Sequence, residues 1–179
     1  MRDLLKFAFC LAATGLAAQS PRPAGQHWIQ GQVADVVPDS CHCIKDLVEV
    51  GVGGGTWFTS RWGAGLDLME GRLDSRHTSA QAHEQLLNGS LLFGLNPGGI
   101  QWFPYLSAGL GAGRVETPYS LGPGTTTRLT CHEGAGIQGF FDRHLVVSLE
   151  ARAVSLENRV ARTEKQIVLG MGYRWGGAN

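Results

Sequence analysis

Between Pro104 and Gly113 the side chains alternate: Leu106, Ala108, Leu110 and Ala112 are apolar, and Ser107, Gly109, Gly111 and Gly113 between them are small or polar. A period of two belongs to a strand whose faces meet different media. Near the end of the chain the pattern returns, with Ile167, Leu169, Met171, Tyr173 and Trp175 set against Gln166, Gly170, Gly172 and Arg174, and Val168 as the one break. The small and polar face carries too little apolar surface to act as a packed interior. The apolar face is therefore expected to point outward into lipid, around a closed sheet with polar or small side chains inside. After the first residues no stretch is apolar for long enough to cross a bilayer as a helix, which takes about 20 residues. A closed sheet is the other way to satisfy a backbone in hydrocarbon.

Eight extended segments follow from the same alternation: 28–37, 46–57, 62–74, 84–95, 101–115, 127–140, 145–157 and 166–175. The first is weakly patterned, and residues 80–87 also fit the start of a helix. Short turns at Phe58-Thr59-Ser60-Arg61, Asn96-Pro97-Gly98-Gly99 and Asp142-Arg143-His144 alternate with longer polar connections. In an up-and-down meander that alternation puts all the tight turns at one end. The predicted fold class is thus all-β, an eight-stranded antiparallel up-and-down transmembrane β-barrel. Trp28, Trp57, Trp62, Trp102, Tyr105, Tyr173 and Trp175 all fall at the short-turn end, as an aromatic belt at one membrane interface would. A soluble barrel plugged at one end by aromatics is the competing explanation.

Arg2 and Lys6 accompany an apolar run from Leu4 to Leu16 that closes on Ala17 and Ala18, the pattern of a secretory signal peptide. The expected organisation is a signal peptide over 1–18, a leader over 19–27, the barrel over 28–176 and a tail over 177–179. Formal net charge is zero, so nucleic acid is not an expected partner.

Glu49, Asp67, Glu150, Arg152 and Arg174 share the inward parity of their strands. Charges in a narrow lumen should pair, because an unpaired buried charge is costly. The expectation is a structural plug, with a narrow polar path or gate as the functional alternative. Glu133 falls on the outward parity at mid-strand, where a charge is costly, so a bulge at Gly134 or Gly136 or a later strand start is expected. Cys41 and Cys43 in the first long loop could bridge to Cys131 near the rim in an oxidising compartment. The Cys-x-Cys spacing is tight for zinc, and neither a metal nor a cofactor is expected. His77 and Ser79 lie in a polar loop and read as solvated residues, not as a catalytic pair.

The chain resembles the small outer-membrane β-barrel superfamily of OmpA-like, OmpW-like and Opa-like proteins. The resemblance is carried by Phe103-Pro104-Tyr105 with Ala108-Gly109-Leu110-Gly111, by Gly134-Ala135-Gly136-Ile137 running on to Leu149-Glu150-Ala151-Arg152, and by Gly170-Met171-Gly172-Tyr173-Arg174-Trp175. It implies a monomer in a Gram-negative outer membrane, placed by the barrel-assembly machinery and surrounded by lipid and lipopolysaccharide. Its role would be structural or surface-interactive. The alternatives are a barrel enzyme acting on lipid A or phospholipid, and a narrow porin-like pore. Members of the superfamily usually finish on an aromatic residue, whereas here Gly176 to Asn179 follow Trp175.

Overall fold

The computed structural model describes residues 24–38, 47–74, 81–95, 102–116, 124–141, 144–156 and 162–177. The signal-peptide segment, Cys41, Cys43, His77 and Ser79 lie outside them. The described chain forms eight strands: β1 (Gln26–Pro38), β2 (Leu47–Trp57), β3 (Trp62–Asp74), β4 (Gln81–Gly94), β5 (Trp102–Glu116), β6 (Thr125–Phe141), β7 (Leu145–Leu156) and β8 (Arg162–Gly176). Each pairs antiparallel with its neighbours in sequence, and β8 pairs with β1 to close the barrel. Closure leaves no edge strand, so every ladder is complete.

The register fixes the tilt. A row of paired residues that leaves β1 at Trp28 passes Gly55, Gly65, Ser90, Gly109, His132, Val154 and Glu164 and returns to β1 at Pro38, ten residues further on. That stagger inclines eight strands by about 40° to the barrel axis and leaves a bore that side chains can fill. It also brings together inward residues that are far apart in sequence.

Apolar residues of every strand face outward, among them Ile29, Val50, Leu68, Leu91, Leu110, Leu129, Leu149 and Leu169; Leu110 and Met171 are each 64% exposed. Two strands run further than expected. β4, expected from Glu84, begins at Gln81, and residues 81–87 pair with β3 on one side and, from His83, with β5 on the other, so they are strand and not the start of a helix. Residues 162–165, expected in a charged loop, extend β8 against β1 and β7. Glu164 is thereby buried.

The expected irregularity in β6 is absent as well. Its ladders with β5 and β7 run unbroken through Glu133, Gly134 and Gly136, and the strand starts earlier than expected, at Thr125. A one-residue slip would have turned Thr130, His132, Gln138 and Phe140 out of the lumen. Glu133 instead stays exposed on the outer wall.

The interior is also less polar than the alternation implied. One buried cluster, at the short-turn end, contains Trp28, Trp57, Leu92, Phe103, Tyr105, Phe140 and Val146. A second, toward the loop end, contains Ala34, Val36, Met69, Leu86 and Val168. The break at Val168 is thus an inward apolar contact.

Candidate functional site

The aromatic residues at the short-turn end divide by strand parity. Trp62, Tyr173 and Trp175 are exposed on the wall, and Trp102 is half-buried with its ring 5.0 Å from that of Phe141. Trp28, Trp57 and Tyr105, expected in the same belt, point into the lumen and are buried. Trp57 shares the parity of Glu49 on β2, and Trp28 that of Gln30 on β1, so a two-residue period puts them inside. Trp57 meets Phe103 edge-on at 4.7 Å between centroids and lies 6.0 Å from Trp28. Its indole Nε1 donates to Gln138 Oε1 at 2.8 Å, which satisfies that buried polar atom. The plug requires glycine at the facing positions: a Cβ on Gly55 would lie 2.5 Å from the Trp28 ring, and one on Gly136 would lie 2.5 Å from Tyr105.

Above the plug lies a polar layer. Tyr105 Oη and Ser107 Oγ donate to the two oxygens of Glu150 at 2.9 and 2.6 Å. Ser148 donates to Gln30 at 3.1 Å. Arg152 is the hub: its terminal nitrogen reaches both oxygens of Asp67 at 3.2 and 3.3 Å, and its Nε donates to Gln166 Oε1 at 2.7 Å. Asn88 donates to Asp67 at 3.2 Å and accepts from Thr130 at 3.0 Å. Gln166 also donates to Glu49 at 3.4 Å. The chain Glu49–Gln166–Arg152–Asp67–Asn88–Thr130 crosses the bore and links six of the eight strands. The Arg152 and Asp67 side chains are 3% and 9% exposed, so their pairing answers a desolvation cost that neither could bear alone.

Of the five inward charges read from the sequence, the structure links Glu49, Asp67 and Arg152. Glu150 is held by hydroxyl donors one level below. Arg174 lies apart at the short-turn end, its guanidinium 5.0 Å over the Phe140 ring. Its register explains this, for Arg174 pairs with Trp28 whereas Gln166 pairs with Val36.

Two groupings were not anticipated. Glu49, Glu84 and Glu164 converge near the loop end, each buried, with carboxylate oxygens within 4.8 Å of one another. These are the described residues that could hold a metal ion. Glu84 shares the parity of Asn88 and Glu164 that of Gln166, a signal readable in the sequence once both strands are drawn long enough. Ser90 and His132, on β4 and β6, lie 2.9 Å apart. They face the filled lumen, and His132 Nδ1 has no protein partner among the described residues, so no described acid orients the pair. The space beside Ser90, Asp67, Tyr105 and Glu150 is about 40 Å³, room for about one water.

Cys131 carries a free thiol, exposed on the outer wall between Leu110 and Ser155. Its side chain has the parity of Glu133 and Leu129, and its expected partners Cys41 and Cys43 lie outside the described residues.

No family model matches the sequence, and no curated protein matches it. Solved structures do. The chain is similar to the outer membrane protein OprG from Pseudomonas aeruginosa, at 14% identity over 87% of this chain and 98% of that one, with a TM-score of 0.63. It is similar to Neisserial surface protein A, at 14% identity over 84% and 97%, with a TM-score of 0.64. It is also similar to Ail, the attachment invasion locus protein of Yersinia pestis, solved in complex with the heparin analogue sucrose octasulfate, at 17% identity over 85% and 99%, with a TM-score of 0.58. With eight antiparallel strands closed on themselves, a greasy wall and a bore filled by its own side chains, the chain has the fold of the small outer-membrane β-barrels.

Proposed function

We propose that this protein is a sealed outer-membrane barrel whose role is structural or lies in what its loop end meets outside the cell, not in conduction or catalysis. The observation that carries this reading is the filled bore: an aromatic plug at one end, an Arg152–Asp67 pair spanning the middle, and packed aliphatic and carboxylate groups toward the other. A lumen in this state holds the wall rigid and offers a solute no continuous path. Apolar residues on all eight strands support a lipid surround. On this reading the chain is exported by its signal peptide, inserted by the barrel-assembly machinery, and faces lipopolysaccharide with its longer loops.

The test is planar-bilayer recording of the refolded protein, after flotation with liposomes has shown that it inserts. The expected record is flat. Discrete channel openings that grow when Trp57 is replaced by alanine would overturn the sealed-barrel reading, and failure to float would overturn the membrane reading itself.

A further inference from the structure

On the outer wall at the short-turn end, four rings stand in one row across the start of β7, the end of β8 and the start of β1. His144 lies parallel to Tyr173, with 4.9 Å between centroids and 8° between planes. Tyr173 lies 6.3 Å from Trp175 at 23°, and Trp175 lies 5.7 Å from His27 at 28°. The register builds the row: His27 pairs with Trp175 from β1, and Leu145, the residue after His144, pairs with Tyr173 from β7. All four side chains are exposed. Tyrosine and tryptophan at a barrel rim are ordinary membrane-interface residues. An imidazole closing each end of their row is a separate feature.

Charge and hydrogen bonding say what the row faces. In the strand ends and turns at this rim, residues 24–30, 54–66, 90–95, 102–107, 136–141, 144–149 and 171–177, the basic side chains are His27, Arg61, His144 and Arg174, and none of these described residues is an Asp or Glu. Asp142 and Arg143, which precede His144 in the chain, lie outside the described residues and cancel in formal charge. Arg174 turns inward over Phe140, so the imidazoles and Arg61 remain at the outer surface. The loop end differs, because its outward charges have both signs: Asp35, Glu70 and Glu116 with Arg72, Arg114 and Lys165. His144 Nδ1 lies 3.4 Å from the Arg174 carbonyl oxygen. That oxygen can only accept, so Nδ1 carries the ring proton and Nε2 is the nitrogen that can meet a partner outside the chain. A second proton makes Nε2 a donor, and the aromatic face beside each imidazole then favours the cation. Anionic oxygens at a membrane interface belong to the phosphodiesters of lipid head groups. We propose that the His144–Tyr173–Trp175–His27 row docks anionic phospholipid in the leaflet at the short-turn end, one head-group phosphate at each imidazole. The inference rests on the membrane reading above. Because engaging the phosphate favours the protonated ring, the preference for anionic lipid strengthens as pH falls.

The test uses the full chain in nanodiscs of phosphatidylcholine mixed with phosphatidylglycerol. Native mass spectrometry reads the ratio of the two lipids that stay bound, at about pH 5.5 and about pH 8, on either side of the range in which imidazole changes charge. Flotation with phosphatidylcholine liposomes and circular dichroism are run on every variant. A cation near an anionic bilayer surface is worth about a fivefold gain, so the wild type is expected to retain phosphatidylglycerol at least about fivefold over its share of the mixture at the lower pH and to lose most of that preference at the higher. His27→Gln with His144→Gln should abolish the preference at both. His27→Arg with His144→Arg fixes the charges and should keep the preference at both. His83→Gln, at the loop end, should leave the wild-type pattern unchanged. A wild type that floats and folds yet retains the two lipids in proportion overturns the docking site and leaves the membrane reading intact, as does a preference that survives the double glutamine change. A loss from His83→Gln as large as that from the double change shows net charge acting in place of this row, and overturns it too. Failure of the wild type to float would instead overturn the membrane reading.

Discussion

Replacing Arg152 with methionine keeps most of the side-chain volume and removes the guanidinium. Three hydrogen bonds go with it, two to Asp67 and one to Gln166. Asp67 is left as a carboxylate with a 9% exposed side chain, with Asn88 at 3.2 Å as its donor. Removing one partner of a buried ion pair costs about 3–5 kcal/mol, mostly for the charge left behind. That is roughly a 150- to 5,000-fold shift in the unfolding equilibrium. Adding Asp67→Asn removes the stranded charge and keeps an acceptor for Asn88, so the double variant should recover to within about 2 kcal/mol of wild type. The measurement is a urea titration of lipid-inserted protein followed by tryptophan emission, run as a double-mutant cycle. If Arg152→Met costs under about 1 kcal/mol, or if the two substitutions simply add, the pair does not close the bore in the way described.

Three further outcomes follow from the same interior. Trp57→Ala should cost about 3–5 kcal/mol as a core deletion, whereas Trp62→Ala on the wall should cost far less; brominated lipid should quench Trp62 and Trp175 emission and spare Trp28 and Trp57. Gly136→Ala should push the Tyr105 ring from its seat and loosen its bond to Glu150, at about 1–3 kcal/mol, read by urea titration; the same loss from Gly136→Ala in a Tyr105→Ala background would show that Tyr105 is not what the new Cβ meets. Glu49→Gln should stabilise the barrel, because Glu49 Oε1 has no protein partner among the described residues and two further carboxylates lie within 4.8 Å; a lower urea midpoint would mean that the negative charge itself is needed there.

The period of two and the chemistry of the turns are local properties, and they settled most of what the sequence could settle. The strand from Trp62 to Asp74 runs between the residues its alternation marks, and the wall around Leu110, Leu149 and Leu169 faces outward as their parity requires. Parity also held the answer for Trp28, Trp57 and Tyr105, yet an aromatic at a barrel end can serve the lumen or the interface equally well. Composition misplaced Glu164, because a run of charges resembles a loop until β1 and β7 are seen to pair with it on either side. What the sequence determined by itself is therefore the wall: which residues are extended, which way they face, and that the sheet must close. The tertiary structure alone decided who meets whom inside it. Asp67 and Arg152 are 85 positions apart, and they touch because a ten-residue stagger, accumulated over eight ladders, brings β3 and β7 to one level of a bore too narrow to keep them separate.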